Sequence, residues 1–318
     1  MSKAAVFLLV AIIACTGCRK EKQGEKFTGI NNISFENYPK VDGSTSASVL
    51  NVTVACKMLG VPYQWVGPGI SSEWMLQPVY EKIPEQYYSF FWQRLKSSKT
   101  HDAFINLVDG SADIILRSST ASPDEKAHAD AAGVSVMETP IASDAFVFLV
   151  NKNNPVKSLT VDQVRKIYTG EITNWSQVGG NNADIKVFTR PRNSGSEEVF
   201  RALVMAGLEP ADFPESGIGG MFGVFQEIRG NENAICYTFN NYKNLQARVS
   251  DSEIPKIAIN GIFPAEGTIK SNTYPFITKL YVAIRSDLDH SSIAYKLYEW
   301  LKSANAKPTL TECGFIPE

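Results

Sequence analysis

The feature that most constrains this chain is residues 188–200, where a predicted strand is followed directly by a predicted helix. Ser194 followed three residues later by Glu197 is a capping-box pattern, which predicts that the helix starts there. The first backbone N–H groups of a helix have no partner within it and lie at the positive end of its dipole. Such a terminus suits an oxyanion, so the segment predicts both a strand–turn–helix unit and an anion site.

The turn within this segment offers further hydrogen-bond donors. Gly195 allows the backbone to approach a ligand closely, and Arg190 or Arg192 can add a planar fork of N–H groups. An ordinary helix cap beside two solvated arginines would give the same pattern. This segment alone therefore leaves both interpretations open.

Two other stretches repeat the order of strand, hydroxyl-rich turn and helix. Residues 42–46, Asp-Gly-Ser-Thr-Ser, precede a helical pattern over 47–59. Residues 117–119, Arg-Ser-Ser, follow a buried strand predicted over 112–116, and a helix start at Ser122 comes next. Each stretch alone fits a plain N-cap cluster. Together, in a chain whose strands alternate with helices, they indicate parallel α/β layers and one convergent ligand site at the carboxyl ends of the strands.

Composition limits the classes of protein to which the chain can belong. Its 318 residues are enough for two domains, each with its own core. A hydrophobic content of 44% and a charged content of 20% are typical of a soluble globular protein. The formal net charge of -2 gives no sign of a nucleic-acid-binding protein, so an anion site must be built locally from a few donors.

The N-terminus is predicted to be a targeting signal and not part of the folded domain. Lys3 precedes a short apolar run over 4–14, which is too short to span a bilayer comfortably and indicates an export signal. The sequence at 15–18, Cys-Thr-Gly-Cys, resembles the lipobox of bacterial lipoproteins, although a cysteine stands where leucine is usual. This resemblance implies a signal peptide over 1–17, lipidation of Cys18, and a polar tether over 18–29.

The remaining cysteines do not form a disulfide framework, because there are three of them and they are widely spaced. Cys56 falls in a helical pattern and Cys236 in a strand-like run, so both are predicted to be buried fillers. One disulfide between two of Cys56, Cys236 and Cys313 remains possible, and the sequence does not indicate which two.

Catalytic and cofactor motifs are not found. Ser194 or Ser196 could serve as a nucleophile, but the sequence has no Gly-x-Ser-x-Gly elbow. The three histidines, His101, His128 and His290, form no cluster in the sequence and are predicted to be lone surface residues. Neither a paired-histidine zinc motif nor a phosphate-loop motif occurs. No catalytic residue, metal ligand or cofactor is therefore predicted.

Six short motifs carry a resemblance to a known family, which extends from about Tyr38 to the C-terminus. The chain resembles the phosphate-binding receptors of high-affinity phosphate ABC transporters. The matching residues are 42–46, 167–180, 189–196, 234–237, 274–281 and 314–317, of which Gly-Glu-Ile-Thr-Asn-Trp at 170–175 is the most specific.

The resemblance implies an α/β fold of the type II periplasmic binding protein class, with two lobes and two hinge strands. Each lobe would be a mixed, mostly parallel sheet flanked by helices. Lobe 1 would comprise 30–143 and 276–318, and lobe 2 would comprise 144–275. The hinge strands would be 144–150 and 273–283.

The resemblance also implies which residues bind the anion in the cleft between the lobes. The first turn would provide Ser44, Thr45 and Ser46, and the second would provide Ser118. The third turn would provide Arg190, Ser194, Gly195 and Ser196.

One departure from the family pattern bears on the ligand. Arg192 stands where the best-known members have an aspartate that accepts the proton of hydrogen phosphate, and an arginine cannot accept a hydrogen bond. Discrimination between phosphate and sulfate is therefore expected to be weaker. A receptor for sulfate, a phosphonate or another oxyanion stays open as an alternative.

The function implied is that of a lipid-anchored, monomeric, extracytoplasmic or periplasmic protein that is not an enzyme. It would capture inorganic phosphate and deliver it to an ABC permease. A ligand-sensing surface lipoprotein without a transporter is the other possibility that the sequence leaves open.

Overall fold

The structure is a computed structural model, and it describes residues 27–67, 73–192, 194–216 and 220–318. The predicted signal peptide, Cys18 and most of the predicted tether lie outside the described residues. None of the helices in the described ranges combines the length and apolar character needed to cross a bilayer.

Eleven strands are found in the described part of the chain. They are β1 (Val41–Gly43), β2 (Tyr63–Val66), β3 (Met75–Pro78), β4 (Ile114–Arg117), β5 (Val136–Val150), β6 (Ser158–Leu159), β7 (Lys186–Val187), β8 (Ala234–Phe239), β9 (Ala258–Ile259), β10 (Ile277–Arg285) and β11 (Ile316–Pro317).

The α-helices alternate with these strands along most of the chain. They are α1 (Ser48–Leu59), α2 (Phe90–Arg94), α3 (Thr100–Val108), α4 (Pro123–Ala131), α5 (Val161–Tyr168), α6 (Gly195–Val199), α7 (Gly223–Gly230), α8 (Asn240–Tyr242), α9 (Glu266–Lys270), α10 (Ile293–Lys302) and α11 (Lys307–Glu312).

The main sheet has the strand order β1-β4-β10-β5-β8-β7, and β11 pairs with β5 on the edge opposite β10. The pairs β1–β4 and β7–β8 are parallel, whereas each pair that involves β5 or β10 is antiparallel. The two long strands β5 and β10 therefore run through the centre of the sheet and connect a parallel pair on each side.

β5 corrects a prediction made from the sequence. The sequence predicts two separate strands, over 134–137 and 145–150. The structure has one strand of 15 residues. The register with β10 shifts between Leu280 and Tyr281, opposite Pro140, so the irregularity at the proline is absorbed as a bulge and the strand continues.

Apolar side chains gather in two large buried clusters on either side of the middle of β5 and β10. The first core contains buried residues from Tyr38 to Ala142 and from Leu280 to Phe315. The second core contains buried residues from Ala145 to Phe276. A smaller cluster packs α3 and α4 against the sheet. The predicted lobe limits, 30–143 with 276–318 and 144–275, stay a prediction. The two cores support the turns between strands and helices.

The three cysteines of the described part are free and buried. Burial raises the pKa of Cys56, Cys236 and Cys313 to about 12 in each case. These thiols are therefore protonated fillers at neutral pH, as expected for Cys56 and Cys236, and the single disulfide left open by the sequence is not formed.

Candidate functional site

A cavity of about 320 Å³ lies between turns that belong to different parts of the sheet. All of the predicted ligand residues except Ser118 and Arg192 line it. The lining residues are Ser44, Thr45, Ser46, Lys99, Thr100, His101, Asp102, Arg190, Pro191, Ser194, Gly195, Ser196, Gly220, Met221 and Phe239.

The turn from β1 to α1 forms the first wall of the cavity, and it presents uncharged hydroxyl groups. A chain of hydrogen bonds joins Ser44 Oγ to Ser46 Oγ (3.0 Å) and Ser46 Oγ to Ser118 Oγ (2.7 Å). Ser118 therefore supports the first wall through Ser46, although it does not line the cavity. Gly43 is needed because a Cβ atom there would lie 2.4 Å from the carbonyl oxygen of Leu116 on the paired strand.

The turn from β7 to α6 forms the second wall. Ser194 is the N-cap, and its hydroxyl accepts a hydrogen bond from the backbone N–H of Glu197 (3.3 Å), so the predicted helix start is confirmed. The helix continues through a π-helical turn, Phe200–Met205.

The second half of the predicted capping box at this helix start is wrong. The Glu197 side chain does not return to Ser194. Instead its carboxylate accepts hydrogen bonds from the backbone N–H of Arg190, from the hydroxyl of Tyr237 and from Arg201. Glu197 therefore fixes the backbone at the start of the turn and ties it to β8.

Arg190 is the buried positive charge of the cavity. The residue is only 6% exposed, and its Nη1 donates a hydrogen bond to Ser216 Oγ (2.9 Å). Among the described residues, no carboxylate lies within 4.0 Å of its guanidinium nitrogens. A buried charge without an opposite charge is costly, so this guanidinium favours the entry of an anion.

Arg192 is not brought to the cavity. The backbone N–H of Ser194 donates to the carbonyl of Pro191 (2.8 Å), which closes a tight turn with Arg192 at its first central position. Arg192 is exposed at this tip and is not among the lining residues. The sequence could not separate the two arginines, because both flank the same proline.

The start of α3 forms a further part of the cavity wall that was not predicted from the sequence. Lys99, Thr100 and His101 line the cavity. Thr100 lies so close to Gly195 that a Cβ atom on the glycine would be 2.0 Å from Thr100 Oγ1. Gly195 is thus required by the approach of two protein segments as well as by any ligand. The polar run over 96–102, just before an apolar helical pattern, is the signal that could have identified this fourth turn.

His101 departs from the prediction that all three histidines are lone surface residues. It is half-buried, and Nδ1 lies 3.5 Å from Oε1 of Glu125 and 3.6 Å from Oδ2 of Asp124. Glu198 of α6 is close by, and burial together with the negative charge of Glu125 raises its pKa to about 7. His128, by contrast, pairs with Asp109 on the surface at 3.1 Å.

Comparison with known proteins gives one family and several named relatives. The family model described as "PBP superfamily domain" matches residues 63–305. The phosphate-binding protein PstS of Bacillus subtilis (strain 168) is 25% identical over 185 residues, which are 58% of each chain. PstS of Staphylococcus haemolyticus is 26% identical over 240 residues, 71% of this chain and 75% of that one. The chain therefore spans less than two thirds of the Bacillus protein.

Solved structures agree with the architecture described above. A substrate-binding protein of Clostridium perfringens, solved with bound phosphate, aligns with a TM-score of 0.61 and 22% identity, over 92% of this chain and all of that one. The predicted α/β fold, a mixed sheet flanked by helices, is confirmed by this likeness. Because the family model matches most of the chain, the chain belongs to the PBP superfamily.

Proposed function

We propose that this protein is an extracytoplasmic solute-binding protein that captures inorganic phosphate in the cavity between Ser44 and Ser196 and delivers it to an ABC permease. One observation carries the proposal. Arg190 is a buried guanidinium that faces a small cavity lined by hydroxyl groups, and the described residues give it no carboxylate partner. The names of the Bacillus and Staphylococcus relatives, both phosphate-binding proteins, support the choice of anion.

The cavity has the donors that a tetrahedral oxyanion needs. Hydroxyl groups come from both walls, and Arg190 adds charge-assisted hydrogen bonds. Each hydrogen bond to a charged group contributes roughly 1.5–3 kcal/mol net, so a handful of them can offset the cost of removing the anion from water. The same donors also explain why the site would recognise an anion without a strongly basic surface.

Ligand capture would close the two predicted lobes, 30–143 with 276–318 and 144–275, around the anion. Ser44, Thr45 and Ser46 belong to one and Arg190, Ser194 and Ser196 to the other, so one small ion touches both only in the closed arrangement. The hinge would lie in the middle of β5 and β10, the two strands that connect the cores.

Isothermal titration of the purified protein with phosphate tests this function directly. Arg190→Ala is expected to abolish micromolar binding, because it removes the charge of the cavity. Arg229→Ala is the matched control, since Arg229 is partly exposed and pairs with Glu253 (2.6 Å) away from the cavity. Wild-type affinity in Arg190→Ala would contradict the assignment of the site.

Another oxyanion, such as sulfate or a phosphonate, is the second candidate ligand. Among the described residues that line the cavity, Asp102 is the one carboxylate, and it is exposed, so these residues offer few acceptors for the proton of hydrogen phosphate. Competition between phosphate and sulfate on the same protein separates the two ligands. A preference for sulfate would overturn the choice of phosphate while leaving the anion site in place.

Membrane attachment through Cys18 is a separate proposal that rests on the N-terminal sequence. Labelling of growing cells with a fatty-acid probe is expected to mark the wild-type protein and not the Cys18→Ser variant. Equal labelling of both would remove the lipid anchor from the proposal without affecting ligand capture.

A further inference from the structure

A second cluster of polar side chains lies beside the anion cavity, and its member His101 also lines that cavity. The proposed capture of an anion assigns no role to the cluster. His101 of α3, Glu125 of α4 and Glu198 of α6 each offer one potential ligand atom, and these atoms all lie within 4.8 Å of one another, around one point. His101 and Glu125 lie on α3 and α4, which pack on the part of the sheet that contains β4, whereas Glu198 lies on α6, which begins in the second wall of the cavity. The cluster therefore spans the same division as the anion cavity.

Glu125 presents a free oxygen to this point. The residue is fully buried, and its Oε2 accepts hydrogen bonds from Nη2 of Arg117 (2.7 Å) and the backbone N–H of Ser122 (2.9 Å). Its other oxygen, Oε1, has no hydrogen-bond partner among the described residues and lies 3.5 Å from Nδ1 of His101. Two ligands bound about 2.0–2.1 Å from a tetrahedral zinc ion are about 3.3 Å apart, which is close to this separation.

Glu198 completes the cluster from the opposite side. The hydroxyl of Ser119 donates to its Oε2 (3.3 Å), which orients the carboxylate. Its charge faces that of Glu125, and the positive charges nearby are Arg117, which is already bonded to Glu125, and His101 when protonated. Other acidic side chains nearby are Asp124, which is largely exposed, and Glu138, which lies 3.8 Å from Arg117.

We propose that His101, Glu125 and Glu198 form a binding site for one divalent transition-metal cation, of which Zn²⁺ fits best. An imidazole nitrogen with two carboxylate oxygens is a ligand set suited to Zn²⁺, and it leaves a fourth position for water. Mg²⁺ prefers oxygen ligands alone and is disfavoured by the histidine. Arg117 and Ser119 act as outer partners that hold the two ligating carboxylates in place.

A cation at this point would tie α6 to α3 and α4. Because Glu198 comes from a different side than His101 and Glu125, the metal would be bound only when the two sides are together. The site thus stabilises the arrangement that also forms the anion cavity. The proposal does not depend on which anion, if any, occupies that cavity.

Isothermal titration of the metal-free, full-length protein with ZnCl₂ in phosphate-free buffer tests the site. One Zn²⁺ is expected to bind per chain, and MgCl₂ is expected to give no comparable signal. Glu198→Gln and His101→Gln should each weaken Zn²⁺ binding at least about tenfold, since each removes a ligand. Glu125 is left unchanged, because the buried charge of Arg117 depends on it.

Matched controls separate this site from accidental binding at the surface. Glu209→Gln and His128→Gln change an exposed glutamate and an exposed histidine and should bind Zn²⁺ as the wild type does. A thermal melt of each variant checks that it is folded, and Zn²⁺ should raise the Tm of the wild type but not that of Glu198→Gln. The proposal would be overturned if the wild type did not bind Zn²⁺, or if Glu198→Gln and His101→Gln bound Zn²⁺ as tightly as the wild type does.

Discussion

Two buried arginines, Arg117 and Arg190, show how similar local sequences take opposite roles. Arg117 is the last residue of β4, and Arg190 follows β7. Each precedes a turn rich in serine, and the two residues are 0% and 6% exposed. Arg117 is neutralised inside the protein by Glu125 at 2.7 Å and is also near Glu138 at 3.8 Å. Arg190 has a hydroxyl partner, Ser216, and an open cavity.

The difference identifies which guanidinium is available for a ligand. A buried charge that the protein already neutralises serves the fold, whereas one without a carboxylate partner favours an external anion. Arg117 holds α4 to the end of β4 through Glu125, and Arg190 presents its charge to the cavity. The variants that follow test this comparison by stability and by ligand affinity separately.

The largest effect is expected from Arg117→Met. Removing one partner of a buried ion pair leaves an uncompensated charge and costs about 3–5 kcal/mol of unfolding free energy. Glu125 would be left fully buried without its partner, so the variant should unfold at much lower urea concentration. Urea denaturation followed by circular dichroism in phosphate-free buffer measures the change.

Arg190→Met is the matched control in the same denaturation experiment. In the part of the chain that the structure describes, its guanidinium pairs with no carboxylate, so the free protein should lose at most about 1 kcal/mol, the value of one hydrogen bond. Equal destabilisation by the two substitutions would break the comparison, because it would mean that Arg190 also serves mainly the fold.

An intermediate effect is expected from Gly195→Ala, which tests how closely the two walls approach. The new methyl group would lie 2.0 Å from Thr100 Oγ1 and 3.0 Å from Thr100 Cβ, so α3 and α6 could not keep their present separation. Overpacking of this kind costs about 1–3 kcal/mol, which corresponds to roughly a five- to 150-fold loss of anion affinity. Titration with phosphate measures the loss.

The double variant Gly195→Ala with Thr100→Ala sharpens this test. It removes the hydroxyl and the methyl group of Thr100 and leaves only the 3.0 Å approach to Cβ, so part of the affinity should return. If the single variant binds phosphate as the wild type does, the contact between Gly195 and Thr100 is not part of the ligand-bound state.

Local signals in the sequence predicted the elements that hold the site. The helices start at Ser194 and Ser122 as predicted, because the capping contacts that satisfy free N–H groups act within one turn. β5 could not be predicted as one strand, since the bulge that accommodates Pro140 is formed with β10, more than a hundred residues further along the chain.

The partners of charged side chains could not be predicted for the same reason. Nothing near Arg190 in the sequence indicates that the described residues give it no carboxylate partner, and Glu125 reaches Arg117 only because α4 folds back on β4. His101 likewise meets Glu198 through packing between segments that are far apart in the chain. Local sequence therefore predicted the donors, and the assembled fold decides which of them are free.

The smallest effect is expected from Arg192→Ala, although this residue was predicted as a ligand donor beside Arg190. It lies exposed at the first central position of a tight turn and does not line the cavity. Its charge acts on a bound anion only through water, where a charge interaction contributes about 1 kcal/mol or less, so phosphate affinity should fall by a factor of five or less. Titration at low and high salt provides the measurement, and raising the salt concentration should erase the remaining difference from the wild type. A loss as large as that of Arg190→Ala, unaffected by salt, would mean that the turn rearranges on binding and that Arg192 enters the cavity with the ligand.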